Sequence, residues 1–284
     1  MTAFRLRPYR HGDESALLAL VRADPLPGHP PAQAAMLALA LAGDSPDDAE
    51  RWAELNRPAV TVLTDTDDRV AGVVSYALRK SDRSGNVLWL HAREEPAPVA
   101  ALLEHALGEL SQKARRFEAF TLTTPLNHGF DGILERSRPT THAALLDAGF
   151  EATYMGRYFH RPLVDLPVPV GPLAEVGPSA EPPGRQLRVH RDGKEVARAV
   201  VCEPVGETVE IYWLSVEPAY RGQGIGRQLW YQAMAEAART GAKEAVLIVD
   251  DDEPGGERDR TAAVTLYDSV GWKELDRVHT YRRD

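Results

Sequence analysis

One cysteine in 284 residues excludes an internal disulfide and any paired-thiol metal site. That residue, Cys202, lies in the apolar run ARAVVCEP and reads as a small core residue rather than a nucleophile. The nine histidines are scattered, with no HExxH or paired ligand spacing, so no metal is expected. Basic residues are in deficit, 33 Lys+Arg against 42 Asp+Glu for a net charge of −9. A sequence-independent nucleic-acid binder needs a basic face, so neither nucleic acid nor an acidic membrane surface is an expected partner. No apolar run approaches the roughly 20 residues that cross a bilayer. The N-terminus, MTAFRLRPYRHGDE, lacks the apolar core of a signal peptide, and the expected location is cytoplasmic. Present instead are 43% hydrophobic and 26% charged residues, the balance of a globular protein with an ample core. Monomer and homodimer are both compatible with that composition.

The chain breaks at RPLVDLPVPVGPLAEVGPSAEPPGR, residues 161–185, whose seven prolines forbid a helix interior and a central strand. Residues 163–184 are therefore expected to be an extended linker between domains 1–162 and 185–284. The two sides repeat one order of elements. AVTVLTDTDDRVAGVVSYAL and QLRVHRDGKEVARAVV read as hairpins, the second turning at Asp192-Gly193. NVLWLHAR and TVEIYWLSV read as strands, and APVAALLEHALGELSQKA and GIGRQLWYQAMAEAART as helices. A further strand, helix and strand follow on each side. Aligning LLDAGF with LYDSVGW sets the repeat at about 122 residues, which implies two copies of one α/β unit. The first copy has extra helices before its hairpin, where the second has the proline-rich stretch.

After the strand ending at Val216 and after Pro218 comes YRGQGIG, which runs into a helix. Ile225, Leu229, Ala233 and Ala237 give that helix one buried stripe. Strand, glycine turn and helix N-terminus is an anion-binding geometry: glycines let backbone N–H groups approach a phosphate, and Arg221 and Arg227 add charged donors. A Walker A loop would need GxxxxGK, which is missing. A Rossmann fingerprint would need a third glycine where Arg227 stands. The pattern that remains is Arg-x-x-Gly-x-Gly, met by Arg221, Gly224 and Gly226.

Together, VEIYWLSVEPAYRGQGIGRQL and AVTLYDSVGWKEL resemble the GNAT superfamily of N-acetyltransferases, whose pyrophosphate loop reads Q/R-x-x-G-x-G/A. The resemblance is close over residues 187–283 and rests only on element order in the first copy. It implies an α/β fold with two units in tandem, each a central mixed sheet flanked by helices. It further implies acetyl-CoA as co-substrate, held in the gap where two neighbouring parallel strands splay. The pantetheine would pair with the backbone of Leu214, Ser215 and Val216. The pyrophosphate would sit on the turn formed by Arg221, Gly222, Gln223, Gly224, Ile225, Gly226 and Arg227. The acceptor would be a primary amine of a small molecule or peptide.

By the same resemblance Glu210 matches the general base and Tyr267 the general acid. Period-two alternation would put Glu210 on one face with Tyr212, Leu214 and Val216. An exposed strand-edge glutamate remains the alternative reading, as does a tyrosine that only packs by its ring. One departure is Arg260, where members of the family commonly carry asparagine seven residues before the tyrosine. The first copy reads REEPAPVAA at the turn and Leu145 in place of Tyr267, as expected of a degenerate copy without a cofactor loop. The acidic run VDDDEPGGERD, 249–259, is either a solvated loop or a negative rim that attracts a cationic amine. A non-catalytic acyl-CoA sensor is the alternative to the enzyme.

Overall fold

The computed structural model describes residues 4–24, 26, 28–45, 48–126, 131–170, 174–250 and 260–284. Its first stretch contains β1 (Arg5–Pro8), α1 (Glu14–Ala23), α2 (Ala34–Ala42), α3 (Ala49–Ala53), β2 (Ala59–Thr64), β3 (Val70–Leu78) and β4 (Gly85–His91). Then come α4 (Pro96–Ser111), β5 (Phe117–Ala119), β6 (Ile133–Leu134), α5 (Pro139–Asp147) and β7 (Glu151–Pro162). The remainder is β8 (Glu175–Ala180), β9 (Pro183–Arg191), β10 (Lys194–Cys202), β11 (Thr208–Val216), α6 (Ile225–Arg239), β12 (Glu244–Val249), α7 (Thr261–Ser269) and β13 (Lys273–Arg283).

The chain forms two units that exchange strands. Unit 1 comprises residues 1–26, 31–155 and 277–284, and unit 2 comprises 27–30 and 156–276. Both boundaries therefore fall inside long strands. This corrects the expected division into 1–162 and 185–284. The end of β7 pairs with β12, from Arg157↔Val249 to Pro162↔Glu244. The end of β13 pairs with β5, from Arg283↔Phe117 to Tyr281↔Ala119.

In unit 1, β1 to β4 are antiparallel neighbours in sequence order, and β4 runs parallel to β5. β4 is buried along its whole length, as its near-continuous apolar sequence requires of a strand covered on both faces. One face, with Val87 and Leu90, packs under α4, whose Leu102, Leu103 and Ala106 are buried. The other, with Leu88 and Trp89, packs under α1 and α2 through Leu17, Leu20 and Leu37.

In unit 2 the strand order is β7-β12-β11-β10-β9-β8. The β9–β10 hairpin turns at Asp192 (φ 51°) and Gly193 (φ 75°), the left-handed pair a two-residue turn needs. The stripe expected on α6 is present: Ile225, Leu229, Ala233 and Ala237 are buried with Trp230 and Met234. They meet Val209, Ile211, Leu247 and Phe159 in a core drawn from unit 2 residues alone.

The proline-rich stretch is not a linker throughout. Residues Glu175–Ala180 form β8, an edge strand paired with β9, a place where Pro178 and its missing N–H are tolerated. Before it, the Val170 and Ala174 N–H groups donate to the Gln228 (3.3 Å) and Gln232 (3.0 Å) side chains of α6. Glutamines four apart on one helix face thus hold the segment against α6. Among the described residues of unit 2 nothing corresponds to α1 and α2, because β8 passes directly into β9.

Candidate active site

The two units repeat most closely in their central strands. β3 and β10 are both nine residues long, 124 positions apart. Each next strand carries a bulge at the equivalent place. In β4 the pairing with β3 skips Leu88, and in β11 the pairing with β10 skips Tyr212. A bulge turns two consecutive residues to the same face. Leu88 and Trp89 accordingly share one core of unit 1, with Val87 and Leu90 in the other. In unit 2, Val209, Ile211, Leu214 and Val216 all face the core under α6. Glu210, Tyr212 and Trp213 face the other way.

This corrects the face expected for Glu210. Uniform alternation would have grouped it with Leu214 and Val216, but the extra residue at Tyr212 reverses the parity beyond that point.

β11 and β12 are parallel and paired only from Thr208↔Glu244 to Glu210↔Val246. Beyond that last rung β11 continues through Val216 and β12 through Val249 without pairing to each other. The opposite edge of β11 stays paired to β10 up to Val216. The polar groups of Ile211–Val216 that point away from β10 therefore open onto a split between parallel strands.

At the end of the split a short helical turn, Pro218–Tyr220, leads into the glycine turn. Arg221 Nε donates to the Val216 carbonyl (2.9 Å). Gly222 and Gly224 adopt φ of 74° and 78°, values that a side chain would strain. Gly224 is the N-cap of α6 and supplies no side-chain cap. The first bond at this end runs from Gln228 N–H to the Gly224 carbonyl (3.2 Å). The N–H groups of Ile225, Gly226 and Arg227 are thus left at the positive end of a four-turn helix. Gln223 and Arg227 are exposed beside them, and Arg227 reaches Ser269 Oγ at 3.5 Å. Gly226 packs between Val216 and Leu266; a Cβ there would stand 3.4 and 3.5 Å from their methyls. The turn, the end of β11 and α7 therefore meet at one point.

Tyr267 follows Leu266 on α7 and is 8% exposed. Its ring stands edge-on to Trp230 (5.1 Å between centroids) and to Phe159 (5.7 Å). Burial pushes the phenol up to about 12, with the Arg260 charge opposing and the Asp250 charge adding. Glu210, half-buried on the opposite face of the sheet, lies near enough to Tyr158 for its charge to matter there. Burial raises the Tyr158 phenol most, and the charges of Glu210 and Asp276 raise it further. The structure thus gathers the turn, the β11 edge and Tyr267 on the α6 side of the sheet. Glu210 stands on the other side, at the last rung before the split opens. Most of the acidic run, residues 251–259, lies outside the described residues.

Unit 1 has the corresponding split with different contents. β4 and β5 pair only from Gly85↔Phe117 to Val87↔Ala119. Counted from the bulges, Asn86 is the residue equivalent to Glu210 and Leu90 the one equivalent to Leu214. Here Arg138 fills the space: its Nη2 donates to the Leu90 carbonyl (2.7 Å) and its Nε to Glu94 (2.6 Å). Glu94 also accepts from the Thr140 and Thr141 N–H groups at the start of α5 (2.8 and 2.9 Å). Arg138 did not stand out in sequence, because ILERSRPT has no period to read; Glu94 belongs to the REEP stretch quoted for the first copy, but its partnership with Arg138 was not legible there. A cavity of about 780 Å³ lies between α4 and α5 of unit 1, lined by Leu103, Leu107, Ala144 and Arg283.

A mixed sheet whose central parallel strands splay over a glycine turn is the fold of the GNAT N-acetyltransferases, here in tandem. A tandem GNAT protein from the clavulanic acid biosynthesis pathway superposes with a TM-score of 0.64 at 14% identity, covering 99% of this chain and 98% of that one. A GCN5-related N-acetyltransferase from Sphaerobacter thermophilus superposes at 0.62 and 15% identity, covering 99% and 95%.

Within that fold, residues 183–274, which lie in unit 2, match the acetyltransferase (GNAT) domain family. Among curated proteins, the mycothiol acetyltransferase of Streptosporangium roseum is 31% identical over 96 residues, which is 34% of this chain and 24% of that protein. The mycothiol acetyltransferase of Geodermatophilus obscurus is 35% identical over 85 residues, 30% of this chain and 23% of that protein. The chain thus matches about a quarter of the length of these relatives.

Proposed function

We propose that unit 2 transfers an acetyl group from acetyl-CoA to a primary amine and that unit 1 holds no cofactor. The observation that carries this reading is the split of β11 from β12, which ends at a glycine turn with open helix amides. An extended amide-bearing arm pairs with a strand edge, and a pyrophosphate fits a helix N-terminus, where an anion gains about 0.3–1 kcal/mol and up to ~2 when partly buried. Leu214, Ser215 and Val216 would receive the arm. The turn from Arg221 to Arg227, including Gly222, Gln223, Gly224, Ile225 and Gly226, would receive the pyrophosphate. Arg138 and Glu94 take the equivalent space in unit 1, and REEP puts carboxylates where a pyrophosphate would go.

In the reaction the amine nitrogen attacks the thioester carbonyl carbon, a C–N bond forms, and the C–S electron pair leaves with sulfur. An alkylamine with a pKa near 10.4 is almost wholly protonated at pH 7, a deficit of roughly 4–5 kcal/mol. Glu210 stands at the mouth of the split on the side away from the cofactor turn, where it can take the amine proton. Tyr267, on the cofactor side, faces the leaving sulfur. A phenol near 12 is a weaker acid than an ordinary thiol, near 8.5. Its role is therefore to donate a hydrogen bond to the departing thiolate rather than to surrender its proton outright.

Release of CoA from acetyl-CoA across a panel of primary amines tests this reading. The wild type should turn over at least one amine. Tyr267→Phe, which keeps the ring packing, should lose about 100-fold in kcat with the KM for acetyl-CoA within about twofold. Binding of acetyl-CoA with no turnover of any amine would indicate a non-catalytic acyl-CoA sensor instead.

A further inference from the structure

In unit 1 the bulge pair Leu88 and Trp89 is 1% and 2% exposed beneath α1 and α2. In unit 2 the same bulge carries Tyr212 and Trp213, and there they are 54% and 50% exposed. The reason is topological: unit 2 has no helices between β8 and β9 to cover this face of its sheet. Among the described residues, 28–30 lie against β7, β12 and the first residue of β11. There the Gly28 carbonyl accepts from Thr208 Oγ1 (3.0 Å), and the His29 ring lies 5.5 Å from Tyr158. Two aromatic rings are left uncovered beside a carboxylate. Tyr212 stands two residues, about 7 Å along the strand, from Glu210. Trp213 is not loose: its Nε1–H donates to Ser215 Oγ (3.0 Å) on the same face, which fixes the indole plane.

We infer that Trp213, with Tyr212, is the specificity-determining surface for the acceptor, stacking against a primary amine carried on a ring with an apolar face. The inference rests on the acetyl-transfer reading and adds a substrate class to it. A carboxylate beside exposed aromatic faces suits a cationic amine with a flat body, since stacking on an aromatic ring and attraction of a cation to its face act together. The acceptor's own ring would occupy the position that α1 and α2 occupy over the matching strand of unit 1. An open-chain amine would meet Glu210 but gain little from the rings.

The test uses the full chain with 2-phenylethylamine and glucosamine as ring-bearing amines and n-butylamine as the open-chain one. Trp213→Ala should raise the KM of whichever ring-bearing amine is the substrate at least tenfold. It should leave kcat within threefold and the KM values for acetyl-CoA and n-butylamine within twofold. Trp213→Phe should restore most of the loss, which a merely structural role would not require. Discrimination between the two ring amines tells an aromatic from a sugar ring. An equal loss for open-chain and ring amines, or no loss for any, would overturn the inference. Calorimetric binding of the ring amines to the chain saturated with CoA separates the two readings. Trp213-dependent binding without turnover would contradict acetyl transfer alone. Turnover with binding indifferent to Trp213 would contradict the platform alone.

Discussion

Tyr267 is held by its ring: Trp230 and Phe159 stand edge-on to it, while burial raises the phenol to about 12. Its neutral form is the donor, so protonated tyrosine persists well above neutrality. The kcat–pH profile should therefore show no alkaline fall attributable to Tyr267 below about pH 10–11; a fall centred near 8–9 that disappears in Tyr267→Phe would contradict this. The same shift bears on folding. A phenol raised from its unfolded value near 10 contributes stability that is whole below pH 10 and lost as pH rises towards 12. The Arg-x-x-Gly-x-Gly turn and the α6 stripe were legible in the sequence because each rests on local spacing, whereas Tyr267 was pointed to by the family resemblance alone. The face of Glu210 was not. Period-two counting assumes a regular strand, and the bulge at Tyr212 is fixed by pairing with β10, a non-local fact.

At the scale of elements, the two splits are the same device with opposite contents. In unit 2 no described residue pairs with the β12-facing edge of β11 beyond Glu210, and in unit 1 the edge of β4 is taken by Arg138, only 5% exposed and tied to Glu94. Arg138→Met would remove both bonds, taking that donor from the Leu90 carbonyl and the cation from the Glu94 carboxylate, whose two oxygens keep their Thr140 and Thr141 donors. The expected cost is about 3 kcal/mol, the low end for breaking a buried pair, because Thr140 and Thr141 still serve Glu94. Urea denaturation measures it, and a loss below 1 kcal/mol would contradict the assignment. Calorimetry on the same variant should still give one acetyl-CoA per chain, since the glycine turn is absent from unit 1 whether or not the arginine is removed. REEP showed in the sequence that the first copy lacks the turn. The arginine that fills its split was invisible there, because Arg138 and Leu90 are distant in sequence and meet only in the fold.

At the scale of the whole chain, the sequence showed two copies and the structure shows that each copy borrows from the other's end. Residues 156–162 supply unit 2 with the partner strand of β12 and with Phe159, fully buried in its core. A fragment of residues 184–284 lacks both and is expected not to fold, so a cooperative melt from that fragment would contradict the exchange. In the other direction Tyr281, fully buried in unit 1 and bonded to His142 (2.7 Å), lies beyond the 183–274 domain. Pattern reading places domain boundaries in loops, and these boundaries lie inside strands, which is why they were missed. The chemistry proposed for the chain rests on one place, the glycine turn that closes the β11–β12 split. The most direct measurement is amine-dependent release of CoA from acetyl-CoA by the full chain and by two variants of Gly224, whose φ of 78° asparagine and aspartate both tolerate better than other residues. Gly224→Asn should raise the KM for acetyl-CoA less than about fivefold, and Gly224→Asp, which adds a negative charge where the pyrophosphate would lie, at least thirtyfold. Equal effects from the two, or no effect from either, would contradict a pyrophosphate at that turn.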